Sequence, residues 1–153
     1  MKLLVLKVGR TKDRRVSALA ENYLRRIRPP GMTAVESVPD IAAASSSGSL
    51  EREGQELLRR VRPRDRVILL REDGEEFDSL AFASFIAEEL EGVAGRLLLV
   101  IGGPWGVSDA LKQRANRGLS LSRMTLPHDL CFLFLAEQLY RAFSILQGTG
   151  YHH

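Results

Sequence analysis

The sequence predicts an α/β fold: a mostly parallel sheet with helices on both faces. Two observations predict it. Short strand-like runs alternate with helical stripes in the order β-α-β-α-β-α-β-α-β-α, and this alternation is the pattern of strands that return through helices. The run RLLLVI at 96–101 is apolar almost throughout, as a strand covered on both faces must be.

Each element has its own local reason. Residues 2–8 (KLLVLKV) form a β-rich run ended by Gly9. Over 14–28, Val16, Leu19, Ala20, Tyr23, Leu24 and Ile27 share one helical stripe, and Arg25, Arg26 and Arg28 occupy the last turn, where cations suit the helix dipole. Pro29-Pro30-Gly31 stops that helix. Residues 33–38 (TAVESV) alternate as a strand, and 40–49 (DIAAASSSGS) read as a mobile loop. A charged helix follows at 50–61, with Leu57, Leu58 and Val61 inward.

Residues 66–71 (RVILLR) read as a buried strand, and Glu72–Glu75 as a turn. Asp78 or Ser79 caps a helix running to Leu90. After the strand at 96–101 comes Gly102-Gly103-Pro104-Trp105-Gly106, then a short helix from Ser108 to about 116. A fifth strand is predicted at 119–124 and a last helix at 128–146. That helix is apolar on more than one side, which implies burial on more than one side and a face shared with a second subunit. No linker or internal repeat divides the 153 residues, so one domain, 1–153, is expected.

Composition excludes several classes. The 44% apolar and 27% charged fractions are ordinary for a folded protein. No apolar run approaches the ~20 residues that span a bilayer, and the start is too soon charged for a signal peptide. Cys131 is the single cysteine, so neither an internal disulfide nor a cysteine-based zinc site is expected. These features read as cytoplasmic, with no membrane and no metal. Net charge is +3, but residues 1–72 carry +7 and 73–153 carry −4. A basic first half suggests an anionic partner, nucleic acid before membrane.

Ligands of open α/β sheets sit beyond the carboxyl ends of the strands. Three loops qualify: Arg71–Gly74, Gly102–Gly106 and Thr125–Asp129. Gly102 and Gly103 permit close backbone approach to a ligand. The segment GGPWG is neither a phosphate loop nor a dinucleotide fingerprint. The serine-bearing run at 119–124 passes directly through Thr125, Leu126 and Pro127 to His128 at a helix start, where electron-rich ligand atoms are favoured. His128 reads either as a proton acceptor or as a helix opener. Cys131 reads as a buried thiol and Trp105 as a packing residue. Arg141 interrupts an apolar helix and needs a partner: Glu137 one turn earlier, or an anionic ligand. The residues alone leave open a different enzyme class, a small α/β nucleotide-binding protein.

Together, LLLVIGGPWGVS, LSLSRMTLPHDL, LAEQLYRAFSI and the terminal Gly-Tyr-His resemble the RlmH family of SPOUT-class methyltransferases. MKLLVLKVGRTKD, ENYLRRI, EREGQELL and DGEEFDSLAFA extend the likeness over nearly the whole chain. The resemblance implies an α/β knot with a carboxyl-terminal trefoil, a homodimer joined through the last helix, and S-adenosyl-L-methionine as cofactor. It implies methylation of N3 of a pseudouridine in 23S rRNA, the 1915 site of helix 69, within the assembled 70S ribosome. Leu70, Gly103, Ser122, Arg123, Met124, Thr125, Leu126 and Pro127 would hold the cofactor. His128 and Arg141 would be catalytic, as proton acceptor and stabiliser of developing charge. Tyr151 and His152 would face the RNA, with phosphate contacts from Arg14, Arg15, Arg25, Arg26, Arg59 and Arg60. Trp105 stands where members commonly carry an acidic residue. The alternatives beside this reading are a non-catalytic ribosome-binding module and a SPOUT methyltransferase acting on another RNA.

Overall fold

Five strands and five helices alternate in a computed structural model that describes residues 1–41 and 47–153. They are β1 (Leu3–Val8), α1 (Arg14–Arg26), β2 (Thr33–Val38), α2 (Ser47–Leu58), β3 (Arg66–Glu76), α3 (Ser79–Gly92), β4 (Leu97–Ile101), α4 (Asp109–Arg114), β5 (Arg117–Ser120) and α5 (His128–Gln147). The sheet order is β2-β1-β4-β3-β5 and every pair is parallel. Residues 42–46 of the loop expected at 40–49 lie outside the described residues, and residues 47–49 of that expected loop belong to α2.

The side chains of each strand divide by parity between two layers, because successive residues point to opposite faces. Leu3 and Val5 pack with Leu24 of α1, Phe82 and Ile86 of α3, and Phe132, Leu135 and Leu139 of α5. Leu4, Leu6 and Val8 pack with Leu57 of α2 and Leu111 of α4. The crossovers agree with this division. Steps from β1 to β2 and from β3 to β4 run one way along the sheet, through α1 and α3 on one face. Steps from β2 to β3 and from β4 to β5 run the other way, through α2 and α4. A single crossover hand requires that arrangement.

Caps fall where the sequence puts them. Asp78 Oδ1 accepts from Ala81 N at 2.8 Å, and Ser108 Oγ from Leu111 N at 3.2 Å; Asp13 caps α1. α5 ends at Gly148, whose φ of 66° is left-handed, and Thr149 N returns to Ser144 O at 3.1 Å, closing the helix as glycine caps do.

Two elements differ from expectation. β3 does not end at Arg71. After a register shift between Leu70 and Glu75 it rejoins β5, with Glu75 opposite Leu119 and Glu76 opposite Ser120. The predicted turn at 72–75 is therefore an excursion within an edge-side pairing. β5 starts two residues earlier than expected, at Arg117, and stops at Ser120. Leu121–Met124 leave the sheet and lead to the site.

Candidate active site

Because the sheet is wholly parallel, all five carboxyl ends lie along one edge. Between β1 and β4 the chain leaves toward opposite faces, through α1 and α4, and such a switch point opens a crevice. The structure gathers there the Gly102–Gly106 turn, the 121–127 segment and the first turn of α5. Gly106 N donates to Gly103 O at 3.2 Å, and Gly106 has φ 99°. A Cβ on Gly103 would lie 2.8 Å from Glu53 Oε1 and 3.3 Å from Val8 Cγ1. A side chain there would have to displace the Glu53 carboxylate and press on Val8.

The carboxyl edge is also where polar groups lack partners. Among the described residues, the buried side-chain atoms with no hydrogen bond are Thr11 Oγ1, Ser120 Oγ and His128 Nε2. Thr11 follows β1, Ser120 ends β5 and His128 opens α5. Buried polar atoms are nearly always satisfied, so three orphans on one edge ask for an explanation. The segment after β5 adds backbone groups. Among the described residues, no backbone–backbone hydrogen bond joins residues 121–126 to the rest of the chain, and Met124 N is held at 2.9 Å by Ser122 Oγ. Pro127 caps α5 without a side-chain hydrogen bond, so the first-turn amides carry no cap.

Seven of the expected site residues converge. Gly103, Ser122, Arg123, Met124, Thr125, Leu126 and Pro127 line the two loops that flank the N-terminus of α5. Met124 is 78% and Trp105 55% exposed; both apolar side chains stand open in these loops. Arg123 reaches only loosely to Glu76, at 3.8 Å. Leu70 sits on β3 at the register shift, half-buried against the core. A flat heterocycle flanked by backbone donors and acceptors, with a ribose and a sulfonium chain, matches this donor set: many amides and carbonyls, few charges. The residues present fit S-adenosylmethionine.

His128 Nδ1 lies 3.1 Å from Gly102 O. A carbonyl only accepts, so Nδ1 carries the proton and the neutral ring has its lone pair on Nε2. Burial, and then the nearby Lys7, push the imidazole pKa down, against Asp129. Neither Lys7 nor Asp129 stands out as a site residue in the sequence. Lys7 is 3% exposed, donates to Gly9 O at 2.7 Å, and its charge breaks an otherwise apolar strand, which was the available signal. Cys131 packs against the core, and burial raises its thiol to about 11; it is inert at neutral pH.

Arg141 does not join His128. Thirteen residues separate them on α5, ~20 Å at helical rise. Arg141 instead centres a second cluster. Its Nε and Nη2 donate to Glu137 Oε1 at 3.0 and 2.6 Å, which is the expected partner one turn away. Tyr151 OH donates to the same oxygen at 3.1 Å, and His152 Nδ1 meets Arg141 Nη1 at 3.1 Å. Arg26 stacks over Tyr140 at 4.3 Å. Arg14, Arg15, Arg25 and Arg26 lie on α1, in the layer of α5, whereas Arg59 and Arg60 follow α2 on the opposite layer. They are not one patch on a single protomer. A groove of about 310 Å³ lined by Leu19, Tyr23, Leu133, Phe134, Glu137 and Gln138 runs between α1 and α5. A larger cavity, about 580 Å³ between α2 and α4, contains none of the expected site residues. Among the described residues no helix is long and apolar enough to cross a membrane, and no group of His, Cys, Asp and Glu is placed to hold a metal.

Comparison with known proteins places this geometry. Residues 1–152 match the family model described as "Predicted SPOUT methyltransferase". Proteins named ribosomal RNA large subunit methyltransferase H are 38% identical in Porphyromonas gingivalis, over 100% of this chain and 99% of the relative. In Geotalea daltonii the relative of that name is 39% identical, with both chains fully covered. A probable methylase family protein from Haemophilus influenzae aligns over 97% of this chain and 67% of its own, at TM-score 0.57 and 12% identity. A probable methyltransferase from Bordetella pertussis aligns over 93% and 94%, at TM-score 0.51 and 15% identity. These two share the fold. With its full-length relatives and a family match from end to end, the chain belongs to the SPOUT methyltransferase family, in the group of the ribosomal RNA large subunit methyltransferase H proteins.

Proposed function

We propose that the chain is an S-adenosylmethionine-dependent rRNA methyltransferase that methylates N3 of a pseudouridine in 23S rRNA of the assembled ribosome, working in the cytoplasm as a homodimer. The observation that carries the reading is the 121–126 segment, whose backbone makes no backbone hydrogen bond to the rest of the chain among the described residues, beside a glycine turn packed closely against Glu53 and Val8. The names of the full-length relatives support the rRNA substrate class. The proposal includes the carboxyl-terminal trefoil knot, with the β3 excursion, the Gly102–Gly106 turn and the 121–127 segment as its loops.

In this reading Leu70, Gly103 and Ser122–Pro127 hold the cofactor, which supplies an electrophilic methyl group on sulfur. The protein's share is alignment, and holding reactants in line is worth about 7–11 kcal/mol in well-oriented systems. An imide nitrogen attacks only as its proton leaves. His128 is the proposed acceptor, because its Nδ1 proton is committed to Gly102 O and its lone pair lies on Nε2. That atom is sealed from solvent in the protomer, so an approaching base has to part the residues above it. Arg141 is the proposed stabiliser of charge on the base carbonyls, with Tyr151 and His152 beside it toward the RNA. Because of that distance from His128, the proposal assigns the Arg141 cluster to the site of the partner protomer. The open α1–α5 groove and the exposed Leu130, Phe134 and Leu19 supply an apolar face for that partner.

Transfer of labelled methyl from S-adenosylmethionine to 70S ribosomes lacking the modification, beside free 50S subunits, tests the proposal. Label at a pseudouridine of 23S rRNA is the expected result. A folded protein that labels neither particle overturns the substrate assignment.

A further inference from the structure

Lys7 is a lysine where the fold gives lysine little reason to be. It lies at the end of the central strand β1, 3% exposed, with parity that turns it toward α5. Its ammonium sits 5.2 Å from the centroid of Phe132. Phe132 and His128 are four residues apart on α5 and so share one helix face, with Cβ atoms about 5–6 Å apart. The amine therefore lies under the first turn of α5, where the helix dipole already presents positive charge. Burying an ammonium there is costly unless something offsets it. One hydrogen bond, to Gly9 O, and the neighbouring Asp129 do so in part, and the burial that remains uncompensated lowers the Lys7 pKa from its ordinary value of 10.5. Asp129 is itself divided, since its Oδ2 accepts from the amides of Lys12 and Asp13 at 3.1 and 3.4 Å.

The groups that face His128 can be counted. From β1 come Lys7 and the Val8 carbonyl; from the turn after β4, the Gly102 carbonyl; from α5 itself, Asp129. The two carbonyls and Asp129 all favour a doubly protonated, cationic ring. Burial and Lys7 oppose them. Without Lys7 the imidazole would stand beside two carbonyls and a carboxylate with desolvation, the larger of the two opposing effects, to keep it neutral.

We infer that Lys7 is a positioning residue, whose buried ammonium keeps His128 a neutral imidazole with its Nδ1 proton on Gly102 O and its Nε2 lone pair unprotonated. The inference deepens the proposed role of His128 and rests on that reading for its meaning, but its test needs neither cofactor nor RNA.

Nitrogen-15 NMR titration of the histidine rings is that test, with His128→Asn identifying the His128 signals against those of His152 and His153. In the native protein the ring should show the Nδ1–H tautomer and remain neutral below the ordinary histidine range. In Lys7→Met its midpoint should rise by about one pH unit or more, as removal of a like charge predicts. Lys7→Arg should restore the native titration, and Asp129→Asn should move it the opposite way from Lys7→Met. A purely structural lysine would give no such opposed pair. Identical His128 titrations in native protein, Lys7→Met and Asp129→Asn, each folded by circular dichroism, overturn the inference, as does an Nε2–H tautomer in the native protein. Failure of methyl transfer with this titration intact would instead overturn the proposed reaction.

Discussion

Arg96 grips Asp65 with two prongs at the amino end of the sheet: Nη2 to Oδ2 at 2.6 Å and Nε to Oδ1 at 3.2 Å. The side chains are 10% and 1% exposed. Arg62 N and Arg96 N add hydrogen bonds to the same carboxylate at 2.8 and 2.9 Å, and Arg96 Nη2 also donates to Arg60 O at 2.8 Å. The pair ties the start of β4 to the turn before β3, at the edge of the sheet opposite the site. Removing one partner leaves a buried charge alone, which costs about 3–5 kcal/mol. Arg96→Met should show that loss in urea unfolding, and a loss under about 1 kcal/mol would contradict it. Burial alone would raise the Asp65 carboxyl, but the hydrogen bonds and charge of Arg96 outweigh it and hold the group below its ordinary 3.8. A depressed folded value stabilises the native state above the unfolded value. That contribution disappears as pH falls through the folded one. The deficit of Asp65→Asn relative to native protein should accordingly be full at pH 7 and shrink in strong acid.

Gly74 marks where β3 crosses β5. A Cβ there would lie 2.6 Å from Leu119 N and 2.7 Å from the carbonyl carbons of Gly118 and Leu119. Those are backbone atoms and cannot rotate aside. Gly74→Ala should cost about 1–3 kcal/mol or more, as overpacking does. Gly92, the last residue of α3, meets nothing within 4 Å and has no positive φ. There the same substitution should stabilise by about 0.4–1 kcal/mol, by restricting the unfolded chain. Equal effects of the two substitutions in thermal melts would refute the crossing argument.

These elements show what the sequence could and could not reveal. Alternation of strand and helix, the buried run of β4 and the caps at Asp78 and Ser108 are local facts, and local pattern found them. The Glu72–Glu75 stretch reads as a turn because its side chains are charged. It reaches back to the sheet because Arg117, forty-two positions from Glu75, pairs with it at 2.5 and 2.8 Å. No window along the chain contains that pair. The run LSLS at 119–122 alternates like a strand, yet only its first two residues have a strand partner. Periodicity states which residues can pair and is silent on whether a neighbour is present. The Gly102–Gly106 turn and the Thr125–Asp129 loop were legible because they follow strands, whereas Ser122, Arg123 and Met124, read as strand, entered the site only through the family resemblance. Lys7 was passed over because one charge in an apolar strand leaves the strand assignment unchanged.

Gly103→Ala separates cofactor binding from folding. The added methyl would meet Glu53 Oε1 and Val8 Cγ1 on the buried side of the turn; both the Glu53 carboxylate and the turn have to give, and the turn gives outward, into the space the cofactor is proposed to take. Affinity for S-adenosylmethionine, measured calorimetrically, should fall at least about tenfold, equivalent to ~1.4 kcal/mol. The melting temperature should fall by only a few degrees. Unchanged affinity would mean that the cofactor does not lie against this turn.

The separation of His128 from Arg141 along α5 yields the sharpest test of the dimer. In a two-fold dimer, each interface contact is repeated with the protomers exchanged. If His128 of one protomer works with Arg141 of the other, a heterodimer of a His128→Ala protomer and an Arg141→Ala protomer holds one site with both lesions and one with none. Purified through two different affinity tags, it should retain about half the native methyl transfer, while each mutant homodimer is strongly impaired. If both residues served the same protomer's site, every site in the heterodimer would carry a lesion and activity would stay at homodimer level. Cofactor affinity of Arg141→Ala should remain native, since the proposed role of Arg141 is toward the base carbonyls and not toward the cofactor. Recovery to half by mixing two inactive parents is an outcome that misfolding of either variant cannot produce.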